Sequence, residues 1–143
     1  MSRNLIRVDL EKLKKYIVNK LERFSNVKGA YLFGSCLEMM RPESDIDLGI
    51  IFAEDLNSQG NTDLFIEKLY HSLGHFDGHP FDIVSLRDVN TILAFKILRE
   101  GLAIYISDKD NVTDFMEQVS RKHSDVYPRY RRALEIITGI RSE

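Results

Sequence analysis

Two aspartates, Asp45 and Asp47, stand one residue apart where the apolar run IDLGIIF begins. Side chains at positions i and i+2 of a strand point to the same face, so we expect these two carboxylates to project together. Carboxylates held that close repel each other unless a cation compensates. Mg²⁺ is the natural candidate because it prefers hard oxygen ligands. The spacing therefore predicts a magnesium site and, with it, metal-assisted phosphoryl chemistry.

A glycine–serine pair, Gly34-Ser35, ends the apolar stretch that precedes the two aspartates. Glycine lets a backbone turn sharply and approach a ligand closely, while Ser35 is a good helix N-cap and can donate to phosphate oxygens. The free N–H groups of a helix N-terminus attract anions. We therefore expect this turn to hold a triphosphate and to start a short helix that ends near Arg41-Pro42. The alternative is a tight turn followed by a solvated acidic loop, but the order and spacing of the two patterns favour the chemical interpretation.

A third aspartate, Asp82, lies inside another apolar run, FDIVSL. Burying an unpaired carboxylate is costly, so its position calls for a compensating cation. If its strand lies beside the strand of Asp47, the three carboxylates can bind two Mg²⁺ ions that hold a triphosphate and activate an attacking hydroxyl. The alternative is that Asp82 stands at a strand start and faces solvent.

Hydrophobic periodicity predicts the elements that must position these residues. A first helix, capped by Asp9, runs to about Phe24, and a second begins at Asn61 or Thr62 with an apolar stripe of Leu64, Phe65, Leu69 and Leu73. Asp88 is the expected cap of a helix that ends before Gly101. Strands are expected at about 29–33, 46–52, 81–86 and 102–106, and a last long helix at about 110–140, bent near Pro128. This alternation predicts an α/β fold with helices over a small sheet.

The bulk properties predict one soluble domain. The chain has 143 residues, of which 43% are hydrophobic and 29% charged, so residues 1–143 have room for a single domain. We expect the core of this domain at about 27–107 and a C-terminal helical segment at about 110–140. A net charge of −2 argues against direct nucleic-acid binding. The single cysteine, Cys36, excludes an intramolecular disulfide and suits a reducing cytoplasm. Neither a signal peptide nor a membrane helix is expected.

Two further patterns are weaker. His71 and His75 are spaced for zinc on one helix face, but no cysteine accompanies them, so we interpret them as solvated or capping residues. Basic residues near the C-terminus lie beside two tyrosines, and we interpret them as a surface for a protein partner. They are Arg129, Arg131 and Arg132, with Tyr127 and Tyr130.

The combination of Gly34-Ser35, Asp45-Ile-Asp47 and Asp82 in Phe-Asp-Ile-Val resembles the active-site signature of the polymerase-β-type nucleotidyltransferases. More narrowly, the chain resembles the minimal nucleotidyltransferase (MNT) antitoxins of HEPN–MNT toxin–antitoxin pairs. It shares their length, the stretch LREGLAIYI and the tyrosine- and arginine-rich C-terminal helix. The resemblance starts at about Val27 and implies a polymerase-β-like fold, with a small mixed sheet packed by helices and a long C-terminal helix.

The resemblance also implies roles for the site residues. Asp45 and Asp47 would bind both Mg²⁺ ions, and Asp82 would bind the catalytic one and help to activate the acceptor. The Gly34-Ser35 turn would hold the β- and γ-phosphates of ATP, and Ser44 would orient the carboxylate loop. The implied reaction transfers AMP to a tyrosine hydroxyl of a cognate HEPN-domain RNase toxin and releases pyrophosphate.

Two other functions stay open on sequence grounds. One is a non-catalytic antitoxin, or binding module, that neutralises a toxin through its surface alone. The link from Ser35 to Asp45 is one residue shorter than is usual in the family, which keeps this alternative in view. The other is a nucleotidyltransferase acting on a small molecule, which would normally need an added helical domain.

Overall fold

The computed structural model describes residues 5–58 and 61–122. Within these ranges the chain forms helices and strands in alternation, with one turn of 3-10 helix, Gly34–Leu37, directly after the first strand. The elements are α1 (Leu10–Leu21), β1 (Val27–Phe33), β2 (Ile46–Phe52), α2 (Glu54–Ser58), α3 (Thr62–Leu73), β3 (His75–Phe76), β4 (His79–Ser85), α4 (Thr91–Glu100), β5 (Leu102–Ile106) and α5 (Lys109–Arg121).

The strands form one mixed sheet in the order β3-β4-β2-β1-β5. Strand β1 pairs antiparallel with both β2 and β5, whereas β2 and β4 run parallel. Parallel neighbours need a crossover connection, which α2 and α3 provide. This sheet confirms the predicted α/β fold and places β5 at an edge.

Helices cover both faces of the sheet. The helices α1 and α3 pack on one face and α4 and α5 on the other, so two separate apolar layers form. Neighbouring residues of β1 serve different layers, with Leu32 in the first and Tyr31 in the second. Burial on both faces explains why the central strands read as continuous apolar runs. The same burial leaves their ends as the places where polar side chains can gather.

The predicted helix caps are right in one case and wrong in another. Asp9 caps α1 and accepts a hydrogen bond from the Lys12 N–H at 3.2 Å. The helix α4, in contrast, is capped by Asn90, which accepts from the Leu93 N–H at 2.8 Å. Asp88 lies two residues before that cap, in the turn that leaves β4, where its N–H donates to the Ser85 carbonyl oxygen at 3.0 Å.

The helix predicted after Ser35 is much shorter than expected. It is a single 3-10 turn in which Phe33 holds the N-cap position, and no side chain caps it. Ser35 is therefore inside the turn and not its cap. The chain then bridges to the N-terminal segment, where the Ile6 N–H donates to the Met40 carbonyl oxygen at 2.8 Å. Cys36 is buried, as expected for a small packed residue.

The sequence reasoning missed a hairpin between α3 and β4. Asp77 and Gly78 both have positive φ, 50° and 82°, and turn β3 back onto β4. Asp-Gly is the strongest short hairpin signal, so this turn was readable in the sequence. In α3 the expected apolar stripe is partly wrong, because Leu64 is 50% exposed while Leu69 and Leu73 are fully buried.

The final helix is described only in part. It begins at Lys109, near the predicted start, and α5 ends at Arg121. The rest of the predicted helix, its bend near Pro128 and the C-terminal basic residues lie outside the described residues. Within the described ranges, no helix has the length and apolar character needed to cross a membrane.

Candidate active site

The Gly34 turn lies directly against Asp47. Gly34 has a φ of +77°, a conformation that favours glycine. A Cβ at this position would overlap the Oδ2 atom of Asp47 and come within 3.2 Å of its Cγ. Glycine is therefore required twice, once for the backbone angle and once for the close approach. The structure thus brings the predicted phosphate turn and the predicted metal strand together.

The parallel register of β2 and β4 brings the aspartates of the two strands side by side. Asp47 lies directly opposite Asp82 in the ladder, and Asp45 precedes Asp47 by two positions. Asp47 is half-buried, whereas Asp45 and Asp82 are exposed. Exposure of Asp82 matches the solvent-facing alternative for that residue, yet it still faces its neighbour across the strands.

The three carboxylates interact through their charge. Burial, and then the nearby charges of Asp82 and Asp45, raise the pKa of Asp47 to about 6, and a hydrogen bond with the Asp82 side chain acts in the same direction. A carboxyl group whose pKa is raised in this way is one whose ionised form is short of compensating positive charge. Such a site favours the arrival of a cation.

The donor set suits a hard divalent cation, although the structure does not present a finished cage. Within residues 5–58 and 61–122, no group of three or more His, Cys, Asp or Glu side chains is arranged to hold a metal ion. The oxygen donors of Asp47 and its neighbours are nevertheless the type that Mg²⁺ prefers, and a divalent ion would remove the repulsion that raises the pKa of Asp47. The residues present therefore fit Mg²⁺ in chemistry.

A cavity of about 480 Å³ opens beside Asp47. The sheet side contributes the Gly34-Ser35 turn and Asp47, and the other wall is helix α4. The residues of that wall are Leu93, Lys96, Ile97 and Glu100. A volume of this size is typical of a small-molecule site. The cavity therefore places a nucleotide-sized space next to the carboxylates.

The sequence reasoning missed the contribution of α4, and Lys96 in particular. Among the described residues that line the cavity, Lys96 alone is cationic. Glu100, one helical turn further on, is ion-paired with Arg99, which lowers its pKa. Lys96 lines the cavity and adds a weaker charge interaction with Glu100, which also lowers the pKa of Glu100. No local motif marks this lysine, since only the packing of α4 shows which helix face meets the site.

Ser44 acts in the structure through its backbone. Its N–H donates to the Arg41 carbonyl oxygen at 3.0 Å, which closes a turn just before β2. Its carbonyl oxygen accepts a hydrogen bond from Nδ1 of His79, 2.9 Å away. Both polar groups of the Ser44 backbone are therefore held.

The two histidines that were predicted to share one helix face lie in different elements. His71 is in α3 and lines a shallow open groove with Leu64, Glu67 and Tyr70, whereas His75 begins β3. Among the described residues, neither belongs to a group of three or more possible metal ligands. His79, which follows them in sequence, is only 2% exposed and donates to the Ser44 carbonyl oxygen instead. The predicted placement of His71 and His75 on one helix is therefore wrong.

The sequence matches a family model described as polymerase beta, nucleotidyltransferase, over residues 11–110. This span contains the Gly34-Ser35 turn and the three aspartates. Among curated proteins, none matches the chain.

Solved structures share the fold. A chain in a crystal structure of the toxin–antitoxin MntA–HepT is 19% identical, with a TM-score of 0.53 over 89% of this chain and 98% of that one. A chain in a toxin–antitoxin structure with AMP-PNP is 20% identical, with a TM-score of 0.54 over 87% and 98%. A chain in the complex of a tri-AMPylated Shewanella oneidensis HEPN toxin with its MNT antitoxin is 20% identical, with a TM-score of 0.54 over 90% and 99%. The resemblance to the MNT antitoxins therefore holds at the level of the fold.

Proposed function

The chain belongs to the polymerase beta nucleotidyltransferase family, and from that premise we propose that it transfers AMP from ATP to a tyrosine hydroxyl of a HEPN-domain toxin. The single observation that carries this proposal is the contact between the Gly34 turn and Asp47, with Asp82 opposite in the next strand. It joins the proposed phosphate-binding turn to Asp47, which lines the same cavity, and to Asp82 beside Asp47 in the sheet. That is the minimum equipment for in-line transfer of a nucleotidyl group.

In the proposed reaction the acceptor oxygen attacks the α-phosphorus of ATP. A new phosphorus–oxygen bond to the acceptor forms as the bond from the α-phosphorus to the bridging oxygen breaks, and pyrophosphate leaves. Asp82 is exposed and lies opposite Asp47, so we propose that it accepts the proton of the attacking hydroxyl group. Two Mg²⁺ ions held by Asp45, Asp47 and Asp82 would neutralise the charge that develops on the phosphate oxygens.

The chain's own residues would orient the triphosphate. Gly34 lines the cavity beside Asp47, and its backbone would contact the β- and γ-phosphates from this turn. Ser35 is exposed in the same turn and can donate from its hydroxyl. Lys96 faces this turn across the cavity and would balance part of the phosphate charge. Phosphates on one wall and the lysine on the other would fix the α-phosphorus near Asp47.

The acceptor is proposed from the likeness of the fold. The structural neighbours are MNT antitoxins in complex with HEPN toxins, one of them with a tri-AMPylated toxin and another with AMP-PNP. The described residues form only the sheet and the helices that cover it, so recognition of a large acceptor falls to the protein that carries it. These points favour a protein acceptor over a small molecule.

The test first examines the neighbouring genes for a HEPN-domain protein and then incubates that protein with this chain, α-labelled ATP and Mg²⁺. We expect label on that protein with the wild type and none with the double variant Asp45→Asn, Asp47→Asn. Asp63→Asn, which removes an exposed carboxylate at the start of α3, is the matched control and should transfer normally. An inhibited but unlabelled partner would favour the non-catalytic antitoxin, and label found only on a small hydroxyl compound would overturn the protein acceptor.

A further inference from the structure

We infer that His79 is a positioning residue that fixes the backbone carrying Asp45 against the strand carrying Asp82. The inference rests on the proposed function, because it concerns the geometry of the proposed magnesium site. Its basis is one part-buried hydrogen bond between segments far apart in the chain, from His79 Nδ1 to the Ser44 carbonyl oxygen.

His79 is itself held firmly in place. It is the first residue of β4, is 2% exposed, and pairs with Phe76 across the hairpin. The tight turn at Asp77-Gly78 sets the register of that pairing. The imidazole therefore starts from a fixed backbone, and Asp82 lies three residues further along the same strand.

The direction of the hydrogen bond follows from its partners. A carbonyl oxygen can only accept, so Nδ1 of His79 carries the proton and donates across 2.9 Å. Without this donor the part-buried Ser44 carbonyl oxygen would lose its hydrogen bond to His79, which would lower the stability of the folded protein.

Asp45 is bracketed by this contact. On its N-terminal side, Ser44 is held through its N–H by Arg41 and through its carbonyl by His79. On its C-terminal side, Ile46 is paired with Phe81 in the parallel ladder. Asp45 itself is exposed and lies outside β2, so its place depends on its two neighbours. Releasing Ser44 would free one of the two anchors.

The hydrogen bond thus ties the two strands at the point where their carboxylates meet. The ladder alone sets Asp47 against Asp82, since both are inside paired strands. The Ser44–His79 contact extends that alignment beyond the end of β2 to the segment with Asp45. Substituting a residue that holds a metal ligand in place typically lowers metal affinity or activity by about 10- to 100-fold.

The test compares three substitutions at His79. Asparagine can place its side-chain N–H near the position of Nδ1, glutamine extends its donor beyond it, and leucine has no donor. We expect His79→Leu and His79→Gln to raise the Mg²⁺ concentration for half-maximal transfer about tenfold. We expect His79→Asn to keep most of the affinity. The KM for ATP at saturating Mg²⁺ should change little in all three.

A second measurement does not depend on transfer. The rise in melting temperature that Mg²⁺ produces should shrink in His79→Leu and return in His79→Asn. Tyr70→Phe is the matched control, because the Tyr70 hydroxyl holds the Ile83 N–H of the same strand at 2.8 Å without touching Ser44. It should lower the melting temperature but leave the Mg²⁺ response unchanged.

The outcomes separate the two proposals. If His79→Leu and Tyr70→Phe lose stability alike and both keep the wild-type Mg²⁺ dependence, His79 is merely structural and the inference is wrong. Failure of His79→Asn to restore the Mg²⁺ response would also overturn it. If the wild type neither transfers AMP nor responds to Mg²⁺, the proposed function itself fails.

Discussion

Two regions of this chain, the aspartates at 45 and 47 and the histidines at 71 and 75, have a spacing typical of metal ligands, but their surroundings in the structure differ. Asp45, just before β2, and Asp47 on β2 lie near Asp82 on β4, and the charges of Asp82 and Asp45 help to raise the pKa of Asp47. His71 lies in α3 and His75 in β3, so their four-residue spacing does not place them on one helix face. The parallel register of β2 and β4 sets Asp47 beside Asp82, whereas the two histidines lie in consecutive elements joined through Gly74. Residue spacing along the chain is therefore weaker evidence for a metal site than the side-by-side placement of two strands.

Substitution of Asp82 tests whether the aspartate region, and not the histidine region, is functional. We expect Asp82→Asn to reduce AMP transfer at least about 100-fold, because it removes a carboxylate from the proposed reacting end. The free energy of unfolding should change by less than about 0.5 kcal/mol, since Asp82 is exposed. His75→Asn, also at an exposed position, should leave both quantities unchanged. Equal transfer rates in the two variants would remove the distinction between the regions.

The contact of Gly34 with Asp47 offers a sharper test. Gly34→Ala should lower the free energy of unfolding by about 2 kcal/mol through backbone strain and the displaced carboxylate. Transfer should fall by tens of fold, as expected when a reacting group is displaced by about 1 Å. Gly74→Ala also places a side chain at positive φ, but it meets nothing within 4 Å. It should lose stability and keep its transfer rate, as measured by urea unfolding and the labelled-ATP assay.

Lys96 tests the wall of the cavity that faces the carboxylates. Lys96→Met should raise the KM for ATP about tenfold, the loss expected for one hydrogen bond to a charged group. Lys96→Arg should recover part of that loss. Lys109→Met, an exposed lysine at the start of α5, should have no effect. Steady-state kinetics with varied ATP would contradict the assignment if Lys96→Met kept the wild-type KM.

The smallest expected effect concerns pH. The pKa of Asp47 is raised from 3.8 to about 6 in the folded protein, so its contribution to stability is full below pH 3.8 and disappears as the pH rises through 6. A shift of that size would correspond to about 3 kcal/mol, but Asp47 is only half-buried and solvent screening leaves about 1 kcal/mol. Without Mg²⁺, the wild type should therefore lose about 2–4 °C in Tm relative to Asp47→Asn between pH 4 and pH 7.

The control for this titration is Asp63→Asn, which should run parallel to the wild type at every pH. Added Mg²⁺ should reduce the difference between wild type and Asp47→Asn at pH 7, since the cation takes over the compensation. A wild-type melting temperature that rises from pH 4 to pH 7 relative to Asp47→Asn would contradict the raised pKa.

Both ends of strand β2, and both ends of β5, were predicted correctly from the sequence. Each is a short continuous apolar run bounded by polar residues, a pattern that favours a buried strand. The three aspartates were found for the same reason: each interrupts or borders such a run. The cavity wall was not predictable. Lys96 is one of many surface lysines in sequence, and only the packing of α4 on the sheet shows that it faces the Gly34 turn.

His79 illustrates a different limit. In the sequence His79 follows His71 and His75 at the same four-residue interval and directly precedes Pro80. Its actual contact, with Ser44, joins segments separated by two strands and two helices. No periodicity reports such a pairing, because it depends on the register of the parallel ladder. The Asp77-Gly78 turn, which sets the register of the β3–β4 hairpin just before His79, was available as a local signal.

The parallel crossover between β2 and β4 also bears on how the protein is made. During synthesis β1 and β2 leave the ribosome first and can pair as a hairpin, while β4 is still to be translated. Asp47 then has no neighbour from the other strand, because that neighbour arrives only when α3 has docked and the long loop has closed. The proposed transfer activity therefore requires that β4 has paired with β2, so we expect none from a nascent chain that ends before β4.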